Sequence, residues 1–433
     1  MCRRLLALAG ILLLCGQARA QLGVPALRLP GGLLNAPLGD VTRLQGNDPL
    51  DSQQPEQLRR ARVRELLRRY PRLIEADPAG APIVRGELLL FDPSDALLDR
   101  ARAAGFELRR QRTLDALGAR LVVLGAPSGV ATAQARERLR AFEPSADFNH
   151  LYLQSAGVPV PSAAVQPLAA ATADASAPSP TAARVGLIDD GVDTRHAVFE
   201  GVRIEQHGCA IPAAPGAHGT AVASLLVGHL AQFHGAAAGA QLYAADVYCG
   251  SPTGGATDAI VDALAWLARE RVAVINVSLV GPANAMLERA VQSLIARGHV
   301  IVAAVGNDGP AAPPLYPAAY PQVVGVTAVD ARRHVLLEAE RGPQVTFAAP
   351  GADMAAARTP RGFRSVRGTS FAAPLVAGVL ALQLPVPDPQ AARVAITQLA
   401  ARAIDLGSPG RDPVYGFGLV AAELRPAPAL ASR

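Results

Sequence analysis

The chain contains no lysine: all 41 basic residues are arginine, set against 36 acidic ones for a net charge of +5 over 433 residues. Aromatic residues make up only 4%, with one tryptophan, and no basic run is interleaved with rings on which bases could stack. That combination argues against a nucleic-acid-binding role. The arginine bias and the abundance of Ala, Gly and Pro read instead as the codon usage of a GC-rich genome. Long apolar runs are also missing. Beyond the N-terminus, the run Phe371 to Leu384 has the length of a core helix and carries Gln383, so no transmembrane span is expected. Cysteine is rare, with four residues in all. What is present is length and apolar content: half the residues are hydrophobic, enough for two domains and at least one large core.

Residues 1–20 have the parts of a secretory signal. Arg3 and Arg4 give a positive start, Leu5 to Cys15 an apolar stretch too short to anchor, and Ala18-Arg19-Ala20 a small-x-small cleavage site before Gln21. A lipoprotein anchor on Cys15 is disfavoured by the bulky Leu14 before it. Cleavage and export, to the cell exterior or a periplasm, are the expectation, with no membrane anchor left afterwards. Cys2 and Cys15 then leave with the signal. Cys209 and Cys249 remain, and in an oxidising compartment they are expected to form a disulfide rather than a metal site. The bland alternative is two unpaired small core residues.

Residues 21–83 read as a poorly ordered segment containing one arginine-rich helix. In that helix Leu58, Val63, Leu66, Leu67 and Ile74 recur near helical spacing from Pro55 to Ala76. A charged helix of this kind usually presents a solvated face, and no chemistry is assigned to it. Residues 84–154 read as strand (Gly86–Phe91), helix (Ser94–Ala104), two strands (Phe106–Thr113, Ala119–Leu124), helix (Val130–Phe142) and strand (Phe148–Leu153). That βαββαβ order is the layout of small ferredoxin-like α+β domains. Residues 155–183 form an Ala/Pro/Ser linker, the kind of exposed segment where proteolytic nicking concentrates.

Residues 184–433 carry the chemistry. The run Arg367-Gly368-Thr369-Ser370-Phe371-Ala372-Ala373-Pro374 delivers a serine to the start of an apolar helix, where unpaired N–H groups and the dipole favour developing negative charge. Pro374 is expected in the first turn of that helix, which tolerates proline. Taken alone, Gly-Thr-Ser is as often a plain helix cap. The weight comes from four words in order: Asp189-Asp190-Gly191, His218-Gly219-Thr220, Gly306-Asn307-Asp308 and Gly368-Thr369-Ser370. Asp, then His, then Ser is the chain order of the subtilisin triad. From about Arg184 to Leu419 the chain resembles the subtilisin-like serine peptidases (subtilases).

That resemblance implies a three-layer α/β fold around a mostly parallel sheet. It implies Ser370 as nucleophile, His218 as general base and then acid, and Asp189 holding the imidazole. It implies Asn307 and the Ser370 backbone N–H as the oxyanion hole, and Ser278, Leu279, Val280 and Gly281 as the edge that pairs with an extended substrate. It also makes residues 84–154 look like the family's inhibitor-type propeptide, with the maturation cut in the linker. Four positions depart from the family pattern, one of them Val305, which replaces Ala as a small change at a strand end. Asp190 replaces Ser or Thr and could raise the local proton affinity; Ala221 replaces His, a matter of packing; Val280 replaces Gly and could narrow the pocket for the side chain preceding the cut.

The leading reading is a secreted or periplasmic serine endopeptidase made as a self-processing zymogen, monomeric, with protein or peptide substrates and its own propeptide as inhibitor. The alternatives are a catalytically silent binding module and an enzyme that cuts only its own linker. No cofactor is required for the chemistry. Calcium is common in the family, but no carboxylate cluster in the sequence fixes a site. A metal cluster of His207, His229 or His234 with Cys209 is a remote reading.

Overall fold

The computed structural model describes residues 54–154, 183–209 and 215–432. The expected signal peptide, the segment following it to residue 53 and the linker from residue 155 to 182 lie outside the described residues.

The described residues open with α1 (Gln54–Arg69) and β1 (Ile74–Ala76), then β2 (Pro82–Phe91), α2 (Asp95–Ala103), β3 (Glu107–Leu114), β4 (Ala119–Gly125), α3 (Thr132–Arg140) and β5 (Asp147–Gln154). Strands β5-β2-β4-β3 form an antiparallel sheet in that order. Its core is Leu88, Leu90, Val122, Leu124 and Phe148 against Leu98 and Ala101 of α2 and Ala135 and Leu139 of α3. Ser94 caps α2 by accepting from Leu97 N–H, as its place before Asp95 predicts. The arginine-rich helix ends earlier than its apolar spacing suggests. Ile74 lies in β1 and pairs with Val84, because a sheet edge takes up its side chain and backbone together.

The second region continues with β6 (Arg184–Asp189), β7 (Ile204–His207), α4 (Ala217–Val227), the hairpin β8 (His229–Leu230) and β9 (Phe233–His234), β10 (Gln241–Asp246) and β11 (Gly255–Ala256). Then come α5 (Thr257–Arg269), β12 (Val274–Val277), β13 (Leu279–Val280), α6 (Ala285–Ala296) and β14 (Val300–Ala304). Last are β15 (Val324–Val329), β16 (Val345–Pro350), the pair β17 (Met354–Ala357) and β18 (Phe363–Val366), α7 (Thr369–Ala381) and α8 (Pro389–Arg402). Seven strands form one sheet in the order β16-β15-β14-β12-β6-β10-β7, every neighbouring pair parallel. These strands are apolar nearly throughout because helices cover both faces. Residues of α4 and α7 fill one core, and residues of α5 and α6 fill the other. The chain leaves β6 towards β10 on one side and returns to β12 on the other. That reversal of order opens a crevice at the carboxyl end of β6, where Asp189 stands.

Two local expectations change. The sequence reads as one helix from Gly255 to Glu270, but Gly255 and Ala256 do not start α5; they form β11 and pair with Tyr152 and Leu151 of β5. Pro374 is not in the first turn of α7 but at its sixth residue, where it removes the N–H that would have bonded Ser370 O.

Cys209 follows β7 and Cys249 follows β10, which are neighbours, and the two are bonded with Cα atoms 5.4 Å apart. The bridge closes a loop of 40 positions that contains His218. Chain entropy alone assigns such a loop about 3–4 kcal/mol. Thiol titration of denatured protein should find no free thiol at these positions, and the Cys209→Ser, Cys249→Ser double variant should lose stability by about that amount in urea unfolding. Two titratable thiols at these positions would dispose of the bridge.

Candidate active site

Asp189 ends β6 and His218 is the second residue of α4; both are buried. His218 Nδ1 donates to the Asp189 carboxylate, with Oδ1 at 2.8 Å and Oδ2 at 2.9 Å. The ring's other nitrogen, Nε2, is buried without a hydrogen-bond partner among the described residues. Asp189 therefore selects the tautomer that presents Nε2 as a base. Burial alone would push the His218 pKa down, but the charge and hydrogen bond of Asp189, with Asp190 adding, more than offset it and raise it above the ordinary imidazole value.

Asp190 is part of the scaffold rather than a stray acid. Its Oδ1 accepts the Gly219 N–H and its Oδ2 the Gln154 side-chain amide at 2.7 Å. A Cβ on Gly219 would lie 2.2 Å from Asp190 O, so only glycine fits beside His218. Burial, and then the neighbouring Asp189 charge, push the Asp190 carboxyl up to about 6.

Ser370 is the second residue of α7, among the N–H groups that a helix leaves to outside acceptors. Its Oγ donates to Ser278 O at 3.2 Å rather than to His218. Proton transfer to Nε2 requires the hydroxyl to leave that carbonyl and turn towards the imidazole. Ser278 answers in return, its Oγ donating to Ser370 O at 3.1 Å while accepting from Asn276 Nδ2 at 2.8 Å. Ser370 O is the carbonyl that loses its helical N–H donor to Pro374, so a proline inside α7 and a serine after β12 form one unit. Sequence reading gave Ser278 only a role in pairing with substrate; the clue to the second was Pro374.

Asn307 follows β14 across Gly306, and its Oδ1 accepts the Thr369 N–H at 3.1 Å. An N–H can only face the amide oxygen, so the NH2 is the group turned to other partners. The donor expected of an oxyanion hole is thus oriented by the residue before Ser370.

The residues expected to form the substrate edge already have a strand partner. Leu279 and Val280 pair antiparallel with Gln154 and Leu153 of β5, while β11 pairs with β5 on the other side. A Cβ on Gly281 would lie 2.6 Å from the Tyr152 ring, and Tyr152 Oη donates to Pro282 O at 2.7 Å. A pocket of about 760 Å³ lies away from these residues, around His299, Tyr320, Arg393 and Phe417. His207 stacks on Trp266, His229 pairs with His234, and Cys209 is in the disulfide, so the remote metal cluster is absent among the described residues.

A family model described as the subtilase family matches residues 181–418. The chain belongs to the subtilase family. Its class is accordingly that of a serine-type endopeptidase. It is 32% identical to subtilisin DY of Bacillus licheniformis over 248 residues, 55% of this chain and 89% of that protein. It is 31% identical to the minor extracellular protease Epr of Bacillus subtilis over 207 residues. Those residues are 47% of this chain but only 32% of Epr, so the chain spans about a third of that relative. Fervidolysin from Fervidobacterium pennivorans shares the fold, with a TM-score of 0.65 at 21% identity over 79% of this chain and 61% of that one. Subtilases need no cofactor for catalysis, and among the described residues no helix is long and apolar enough to cross a membrane.

Two outcomes follow for this subtilase. Activity that needs neutral His218 falls as pH drops through its raised pKa. Asp190→Ser removes a negative charge that favours the imidazolium, so the acid limb of the kcat/KM profile should move to lower pH. A limb that stays in place, or moves up, contradicts the coupling. Ser278→Ala removes the buried hydrogen bond from Ser278 Oγ to Ser370 O and should cost about 1–3 kcal/mol in denaturant unfolding.

Proposed function

We propose that this subtilase is an exported endopeptidase made as a zymogen, with Ser370 as nucleophile, His218 as general base then acid, and Asp189 holding the imidazole. The observation that carries the zymogen reading is β5 lying as a strand between β11 and β13. Its last residue, Gln154, touches Asp190, next to Asp189. An extended substrate would use the same backbone groups by strand addition. Residues 82–154 thus act as a propeptide that blocks the cleft, and the chain beyond Gln154 enters the linker where the cut is proposed.

The same region supports the folded enzyme. Helix α5 has no side-chain cap of its own at Ala256, and Asn149 Oδ1 accepts the Asp258 N–H at 3.2 Å. Asp147 Oδ2 accepts the Ala285 N–H at 2.9 Å at the start of α6. The propeptide therefore supplies acceptors to two helix N-termini: α5, which has no side-chain cap of its own, and α6, where Asp147 adds to the Asn284 cap. That is how it would assist folding before it is removed.

In the reaction, the Ser370 hydroxyl proton passes to His218 Nε2 as Oγ attacks the substrate carbonyl. His218 then returns the proton to the leaving amine, and water hydrolyses the acyl-enzyme. The oxyanion is met by Asn307 and the Ser370 N–H.

Ser370→Ala should give a chain that is exported, folded and uncut between residues 155 and 183, read by mass and N-terminal sequencing. Maturation of this variant in a host without other proteases would rule out self-processing. Asn307→Ala should lower kcat by about 10²–10³ with little change in KM, a size known from subtilisin rather than computed for this site. A raised KM at constant kcat would remove Asn307 from the oxyanion hole. Labelling by a fluorophosphonate distinguishes an active enzyme from a silent binding module.

A further inference from the structure

The pocket of about 760 Å³ lies at the end of the parallel sheet opposite Asp189. Val300, Val324 and Thr346, at the amino ends of β14, β15 and β16, line it, whereas Asp189 stands at the carboxyl end of β6. Helix α8 contributes Arg393, and the chain after it Arg411 and Phe417. Tyr316, Tyr320 and four prolines supply ring and apolar surface.

The charge of this pocket has one sign. It is lined by two arginines and, among the described residues, by no aspartate or glutamate. Arg393 Nη2 donates to Gln390 Oε1 at 2.7 Å, and Arg411 Nη2 donates to Pro343 O at 2.7 Å, with its guanidinium carbon 5.3 Å from the centre of the Phe417 ring. These partners are neutral, and they leave donors of each guanidinium unspent. The acids nearest along the chain are committed to backbone. Asp388 Oδ1 accepts the Ala391 N–H as the cap of α8, and Asp412 accepts the N–H groups of Ser408, Val414 and Tyr415. His299, buried in the lining, donates from Nδ1 to Val272 O at 2.7 Å, so its neutral ring offers Nε2 as an acceptor only. Burial pushes its pKa down and favours that neutral form.

The end of a peptide carries the matching groups: a carboxylate for the guanidiniums, an N–H for the imidazole, and side chains for the rings and prolines. An alkyl carboxylate would satisfy the cations and leave the imidazole acceptor unmatched. We infer that this pocket binds the free C-terminal end of a peptide, its carboxylate held by Arg393 and Arg411. The pocket shares a wall with the substrate edge. Tyr316 exchanges two backbone hydrogen bonds with Gly281, each 3.0 Å, and Tyr320 Oη donates to Asn284 O at 2.9 Å. Occupancy is therefore felt at the edge that pairs with β5. Each cut by an endopeptidase releases a new C-terminal carboxylate, so this coupling, unlike the binding itself, rests on the endopeptidase reading above.

The test uses the full-length Ser370→Ala chain, in which β5 fills the cleft, and titration calorimetry. Three probes are compared: acetyl-Ala-Leu-Phe as the free acid, its C-terminal amide, and decanoate. We expect the free acid to bind once per chain and the other two at least tenfold more weakly. Arg393→Ala should weaken the free acid at least tenfold, whereas Arg402→Ala on the same helix should not. Arg411 also ties down Pro343 O, so Arg393 is the position replaced, and the urea midpoint checks that the variant is folded. No binding at millimolar peptide, an amide equal to the acid, or an affinity indifferent to Arg393→Ala overturns the site. Decanoate binding as tightly as the peptide overturns the peptide assignment. In the matured enzyme the free acid should change KM for a chromogenic peptide at least twofold, and Arg393→Ala should abolish the change. A constant KM, or a change that survives Arg393→Ala as competition in the cleft would, overturns the coupling and leaves the site standing. An enzyme that cuts no peptide overturns the endopeptidase reading, and the coupling with it.

Discussion

A buried carboxylate needs a partner, and the molecule is arranged so that Asp189 has one. It sits fully buried at the carboxyl end of β6, in the middle of a parallel sheet covered on both faces, and its charge is met by the His218 ring and the Asp190 N–H. Removing that ring would strand the charge at a cost of several kcal/mol. The approach of α4 is correspondingly tight: Gly219 permits contact with Asp190, and the Cys209–Cys249 bridge ties the loop before α4 to the end of β10. The strand reversal at β6, the small residues of α4 and the disulfide all serve one hydrogen bond.

The second constraint is that a cleft made for an extended strand exposes backbone donors and acceptors on two edges. In this chain β5 satisfies both. An edge left open invites pairing with other chains, so an intramolecular strand also protects the newly made protein. The contacts around β5 are polar and specific: Asn149 and Asp147 at two helix N-termini, Gln154 on Asp190, and Arg110 between Glu87 and Asp258. Such contacts can be exchanged for water after cleavage at modest cost. This suits the proposed propeptide role, in which the domain would bind well enough to support folding and then leave.

Much of this was legible in the linear sequence. The six elements between residues 82 and 154 follow local periodicity and a serine cap. The parallel strands announce themselves as short apolar runs ending in Asp189, Asp246 or Gly306-Asn307. The misreadings were also local. Ile74 continues the helical spacing of α1, and Gly255-Ala256 sits against a helix, yet both are strands because a partner edge claims their backbone. Spacing along the chain records which face a residue can present, not which neighbour is there to receive it.

The sequence by itself determined the residue types and order of the proposed machinery, Asp189, His218, Asn307 and Ser370, because each lies in a short motif whose glycines and small residues are required by its own turn. Tertiary structure decided what those residues face. Ser370 O, which loses a helical donor to Pro374, meets Ser278 just after β12; His218 meets Asp189 across 29 positions; and Arg59 reaches Val280 across 221. Hydrogen bonds and ion pairs act over a few ångströms of space and are indifferent to distance along the chain. An arginine that looks like any other on a charged helix gains its ion pair only when folding brings it to Asp308.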